Sequence, residues 1–309
     1  MAEPLVSIVT LSMNQGRWLE QALRSVLDQD YPQIEYLVMD GGSTDGSLDI
    51  LRRRDGDPRV TWQSGPDGGQ SQALCTAYGR MKGEILGWVN ADDVYLPGAI
   101  SQAVRALQAD PGLGLVYGDA EFIDADGRPL GKAVHVIPVG AKDPLLRLGD
   151  CIVQPAAFFR RSAYEAVGGL DPALHYTMDY DLWLRLVRQF PSRHLDATLA
   201  QVRLVTTTKT ASGGWERMAE VEAVVRRNGG SGLPAWFAIE ASAMHAREAL
   251  SAVRQARLGA ASASAVAALR TVASRGTLGA LALPLTWRMV RRRVEVDRAI
   301  RPAAATGPR

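Results

Sequence analysis

Residues 5–40 read LVSIVTLSMNQGRWLEQALRSVLDQDYPQIEYLVMD. Residues 5–11 are a short apolar run rich in Val and Ile, the composition of a buried strand. Residues 16–29 then bring Leu19, Leu23, Val26 and Leu27 onto one face at helical spacing. Residues 34–39 are apolar again and run into Asp40. Strand, helix, strand at this spacing is the pattern of a parallel βαβ unit. The same alternation continues outward: helix 43–54 with Asp45 in its first turn, strand 60–63, Gly-rich loop 64–70, helix 71–81, strand 85–89, helix 97–110 opened by Pro97, strand 113–118. An α/β fold follows, with a mostly parallel central sheet flanked by helices. In such sheets ligands bind beyond the carboxyl ends of the strands, where Asp40 and residues 90–93 fall.

After Gly118 the pattern changes. Residues 121–124 and 130–137 flank a hairpin turn at 125–128, 151–159 reads as extended, 179–189 as a helix and 199–205 as a last strand. Beyond Gly213 the chain reads as helices 215–227, 234–258, 262–274 and 284–300. The glycines of 229–232 mark the expected boundary between a domain of residues 1–228 and a helical C-terminal extension, 229–309.

At 309 residues, 47% hydrophobic and 22% charged, the composition is that of a folded globular protein. No run reaches the ~18 apolar residues of a membrane span, and no secretory signal is read at the start. Cys75 and Cys151 are too few for a disulfide scaffold, which fits a reducing cytoplasm. Net charge is +2, but residues 244–309 hold 12 Arg and no Lys against Glu248, Glu295 and Asp297, so the remainder is acidic. That distribution excludes a general nucleic-acid binder and leaves a basic tail suited to an anionic surface.

Asn90-Ala91-Asp92-Asp93 follows an apolar strand directly. Two carboxylates there suit a hard divalent cation completed by substrate phosphates, or else a turn pair leading into the next helix. Asp40-Gly41-Gly42-Ser43 and Gly65-Pro66-Asp67-Gly68-Gly69 are glycine turns through which backbone can approach a ligand, and equally ordinary turn chemistry. Asp179 and Asp181, two apart on a helix, point in different directions, so one at most faces a given pocket. The four histidines lack metal-ligand spacing, and no nucleophile elbow is present.

Taken in order, six segments resemble the family-2 glycosyltransferases, the inverting group with the GT-A (nucleotide-diphospho-sugar transferase) fold. They are residues 6–15, VSIVTLSMNQ; 25–32, SVLDQDYP; 39–47, MDGGSTDGS; 90–93, NADD; 154–161, QPAAFFRR; and 179–186, DYDLWLRL. The resemblance covers residues 4–212. It implies that Asp40 holds the uracil of a uridine-diphosphate-sugar, that Leu11 meets the base through its backbone, and that Asp67 completes the nucleotide pocket. Asp92 and Asp93 match the D-x-D-type pair, with Asp93 the direct ligand of Mn²⁺ or Mg²⁺. Asp179 matches the catalytic base, although Met178 stands where many relatives carry Glu. Val205 stands where many carry His, which leaves Lys209 as a diphosphate partner.

The function so implied is inverting transfer of a sugar from a nucleoside-diphosphate donor to an acceptor hydroxyl, in cell-surface polysaccharide or glycolipid biosynthesis. The partners are the donor and a saccharide or lipid-linked acceptor. The alternative is a non-catalytic sugar-nucleotide-binding scaffold. For the tail, Trp287, Val290 and Val294 form an apolar face beside Arg288, Arg291, Arg292 and Arg293. Such a helix either lies in an anionic headgroup layer, placing the protein at the inner face of the membrane, or packs on its neighbours.

Overall fold

The computed structural model describes residues 3–133, 143–205, 208–254 and 263–267. In chain order the elements are β1 (Val6–Ser12), α1 (Gly16–Leu27), β2 (Ile34–Asp40), α2 (Ser47–Arg52), β3 (Val60–Ser64), α3 (Gln70–Arg80), β4 (Ile85–Asn90), β5 (Val94–Tyr95), α4 (Ala99–Ala109) and β6 (Leu115–Ile123). They continue with β7 (Pro129–Ala133), α5 (Pro144–Leu148), β8 (Ala157–Arg160), α6 (Arg161–Ala166), α7 (Met178–Gln189), β9 (Ser192–Arg203), α8 (Lys209–Ser212), α9 (Gly214–Arg227) and α10 (Ala235–Arg254). Two compact units result: residues 1–136 with 152–204, and residues 137–151 with 205–309.

The first unit is built on one sheet, in the order β3-β2-β1-β4-β8-β6-β9-β5, with β7 paired to β6. The first four strands are parallel. All seven residues of β1 are buried, as expected of a central strand covered on both faces. Two of its three polar positions are satisfied across the sheet: the Ser7 hydroxyl donates to Glu35 (2.5 Å), and Thr10 Oγ1 pairs with the Tyr36 hydroxyl (2.7 Å). One face packs Leu19, Leu23 and Val26 of α1 and Ile100, Val104 and Leu107 of α4 against Ile8, Val38, Val89, Val116 and Phe158. The other face carries aromatic rings, with Trp88 of β4 stacked on Trp183 of α7 (5.7 Å between centroids) and both meeting Phe159. Strand order reverses between β1, which leads outward to β2 and β3, and β4 on its other side. In open α/β sheets ligands bind beyond the carboxyl ends of the strands at such a switch point.

Beyond β4 the sheet is mixed, because β8 lies antiparallel to both β4 and β6 while β6 and β9 run parallel. Several boundaries differ from expectation for local reasons. Helix α2 starts at Ser47 rather than 43, since Asp40 and Asp45 hold residues 42–47 in a turn. Helix α4 starts at Ala99, after Gly98 at φ +78°, so Pro97 lies outside it. The Gln29 side chain closes that start, accepting from Ile100 N (3.2 Å) and donating to Leu96 O (3.0 Å). Residues 154–156 form a single 3₁₀ turn at Pro155, breaking the extended run expected over 151–159. The hairpin turn at 125–128 is present between β6 and β7, with Gly127 at φ +85°.

In the second unit α9 buries Met218, Val221, Val224 and Val225, and Arg217 pairs with Glu240 of α10 at 2.8 Å. The expected helices over most of 262–274 and 284–300, the basic amphipathic one included, lie outside the described residues.

Candidate functional site

Asp40 ends β2, Asp67 lies in the loop after β3, and Asp92 and Asp93 follow β4. The loops after β1 and β2 are latched together. Asn14 N donates to Ser43 Oγ (2.7 Å), Thr44 N donates to Asn14 Oδ1 (2.9 Å) and Gly16 N donates to Asp45 Oδ2 (2.8 Å). Asn14 adopts φ +53°, a left-handed conformation that Asn tolerates better than most side chains.

Asp40 is buried and accepts from Gly42 N (3.1 Å), Ser43 N (2.8 Å), Ser43 Oγ (2.5 Å) and Ser64 Oγ (2.7 Å). These bonds fix the carboxylate at the carboxyl end of β2, the position read from the sequence as meeting the base. The same bonds hold the backbone of residues 42 and 43 in a fixed turn. Leu11 is buried, and its carbonyl accepts from Ala91 N (3.0 Å), which ties β1 to the start of the acidic loop. Asp67 is half-buried, and its Oδ1 accepts from Gly69 N (2.8 Å) at the entry to α3. Its other oxygen faces Gly41, where an added Cβ would stand 3.4 Å from it.

Asp92 and Asp93 follow β4. Both are buried, and burial pushes both carboxyls up, Asp93 well above the usual carboxylate range because the Asp92 charge adds to it. Asp93 Oδ1 accepts from the backbone N of Arg203 (3.0 Å), and the Asn90 and Gln15 side chains support Asp93 and Asp92 respectively. Asn90 is itself held by Gln154, which accepts from its amide (3.2 Å) and donates to Trp88 O (2.6 Å).

The structure adds a residue whose role sequence reasoning missed. Arg203, at the end of β9, is buried beside this pair. Its Nε donates to Asp92 O (3.0 Å), Nη1 to Asp124 O (2.7 Å) and Ala125 O (3.2 Å), and Nη2 to Gln21 Oε1 (2.9 Å). Its guanidinium carbon lies 5.4 Å from the Trp18 ring centroid. Burial pulls its pKa down, and the charges of Asp93 and Asp92 push it back up. An arginine within the expected strand 199–205 was the signal.

Asp179 is half-buried, the second residue of α7, and its Oδ1 accepts from Tyr180 N (2.8 Å). Asp181 is fully buried and its Oδ2 receives Arg185 Nε (2.9 Å) and Nη2 (2.7 Å). The two aspartates differ in burial, Asp179 half-buried and Asp181 fully buried against Arg185. Lys209 belongs to the second unit, where it opens α8.

An α/β sheet with a switch point and an acidic pair at the end of its fourth strand is the framework of the GT-A glycosyltransferases. Solved structures agree on the fold. A mannosyltransferase from Pyrobaculum calidifontis, in complex with GDP-Man and Mn²⁺, matches with a TM-score of 0.56 at 21% identity over 97% of this chain and 86% of its own. S. aureus TarS 1-349, in complex with UDP-GlcNAc, matches with a TM-score of 0.61 at 14% identity over 96% and 89%. The model of glycosyl transferase family 2 matches residues 7–168, over half of the sequence, and the chain belongs to that family. An uncharacterized glycosyltransferase of Rickettsia felis is 33% identical over 207 residues, covering 63% of this chain and 33% of that protein. The chain spans about a third of the length of the first curated relatives it matches. Among the described residues no helix is long and apolar enough to cross a membrane.

Proposed function

We propose that this glycosyltransferase moves a sugar from a nucleoside-diphosphate donor, read as UDP-linked, to an acceptor hydroxyl with inversion at the anomeric carbon. The observation that carries the reading is the buried Asp92–Asp93 pair at the switch point, two carboxylates whose charge the fold leaves undercompensated. The donor set is all oxygen, which fits Mn²⁺ or Mg²⁺. Asp93 would be the direct ligand, with Asp92 beside it. When bound there, the cation would neutralise charge developing on the departing diphosphate.

The chain's own groups account for the rest. The turn fixed by Asp40, the end of β1 at Leu11 and the Asp67 loop form the nucleotide end of the site. Lys209 is proposed as a diphosphate partner. Asp179 takes the proton of the attacking hydroxyl, whose pKa is far above 7. General bases of this kind commonly contribute ~10²–10⁴-fold. A single displacement needs no covalent nucleophile. The acceptor is read as a saccharide or lipid-linked saccharide of a surface polysaccharide or glycolipid. Vesicle co-sedimentation of the full chain tests whether the basic segment after residue 284 touches anionic membrane.

The test is a panel of UDP- and GDP-sugars scored by nucleoside diphosphate release with Mn²⁺, with Mg²⁺ and with excess chelator. Metal-dependent release from a UDP-sugar is expected. Full activity in chelator would remove the metal from the scheme, and release from GDP-sugars alone would replace the uracil reading.

A further inference from the structure

Arg203 is an unusual buried cation. All four acceptors of its guanidinium are neutral: the carbonyls of Asp92, Asp124 and Ala125 and the amide oxygen of Gln21. Burying a charge without an ionic partner is costly. The anionic groups acting on it through space are Asp93 and Asp92 first, then Asp124, with Arg17 opposing them. With both carboxylates ionised, the pair and the buried guanidinium together carry a charge of −1 at the switch point. A bare divalent cation would convert that to +1 in a poorly solvated place, whereas one arriving with a diphosphate would not leave excess positive charge.

We propose that Arg203 is the resident counter-charge of the Asp92–Asp93 pair, holding the pair in place without nucleotide and weakening its grip on a bare divalent cation. The inference rests on the reading of that pair as the metal site. Arg203 is a positioning residue, acting on the donor only through the two aspartates. Its fork also fixes geometry, joining the acidic loop, the β6–β7 turn and α1 around the Trp18 ring. Charge and geometry can be separated, because Lys keeps the first and loses the second.

The experiment is Mn²⁺ binding by electron paramagnetic resonance on the full chain, with and without UDP, for wild type, Arg203→Met, Arg203→Gln and Arg203→Lys, the fold checked by circular dichroism. Wild type should bind Mn²⁺ weakly alone and more tightly with UDP. The charge-free variants should bind Mn²⁺ alone about tenfold more tightly, as expected when a like charge is removed from a poorly solvated site. Arg203→Lys should stay within about threefold of wild type, since its charge is retained. A purely structural role would weaken binding in every variant. Unchanged or weaker Mn²⁺ binding by folded Arg203→Met or Arg203→Gln overturns the proposal while leaving the metal reading intact. Should neither fold, an Arg203→Lys protein binding Mn²⁺ about tenfold more tightly overturns it instead. Wild type that binds no Mn²⁺ even with UDP removes the metal reading and this proposal together.

Discussion

Replacing Asp181 and Asp179 one at a time by Asn should break two different things, although the residues are two apart. Asp181 is fully buried, and one of its oxygens receives both Nε and Nη2 of Arg185, whose side chain is 23% exposed. Removing one partner of a buried pair costs about 3–5 kcal/mol. Here the figure drops to about 2–3 kcal/mol, because Arg185 reaches water and keeps its bond to Val167 O, and Asn still offers one acceptor. At about 2–4 °C per kcal/mol for a unit of this size, Asp181→Asn should melt about 5–10 °C below wild type. Asp179 bonds its own neighbour's N–H near the start of α7, where an acidic charge is worth about 0.3–1 kcal/mol. Asp179→Asn should melt within about 3 °C of wild type, bind donor normally and transfer at less than a tenth of the wild-type rate. Thermal denaturation and nucleoside diphosphate release on the same preparations read both effects. An Asp181→Asn protein that melts like wild type but is inactive, beside an active Asp179→Asn, would exchange the two roles and refute the assignment.

Asp93→Asn should stabilise the metal-free protein by a few degrees while removing metal-dependent transfer. The folded pKa of Asp93 lies above its unfolded value, so the ionised carboxylate costs stability as pH rises from about 4. The melting advantage of Asn should thus be absent near pH 4 and grow toward pH 8, and a constant difference would contradict it. Gly83→Ala should cost about 3 kcal/mol in urea unfolding, because an added Cβ would stand 2.5 Å from Ser7 N and 2.9 Å from Leu5 O. A change below about 0.5 kcal/mol would show that β1 yields there. Cys151 is buried with its thiol pushed up to about 12, so iodoacetamide at pH 8 should leave it unmodified in the native protein and label it in urea. Rapid native labelling would contradict its burial.

The parallel half of the sheet was legible because β1, β2 and β4 are continuous apolar runs and Leu19, Leu23 and Val26 repeat at helical spacing. Asp92 and Asp93 were legible as carboxylates directly after such a run. The first half of β9 was not, since residues 192–198 include no fully buried side chain and carry Arg193, His194 and Asp196. The two-residue β5 offers no period at all. The turn-bound role of Asp40 depends on Ser64, 24 residues away. Arg203 depends on Gln21, Asp92 and Asp124, separated from it by 182, 111 and 79 residues. Such groupings exist only once the sheet has formed, and no local spacing announces them.

The central claim is single-displacement transfer from a nucleoside-diphosphate-sugar. Proton NMR of the product formed with Mn²⁺ and a UDP-sugar tests it most directly, because the anomeric coupling records the number of displacements. The account predicts free UDP in equal amount to a glycoside whose anomeric configuration is opposite to that of the donor; a product that retains the donor's configuration, or release of a sugar phosphate in place of UDP, would contradict it.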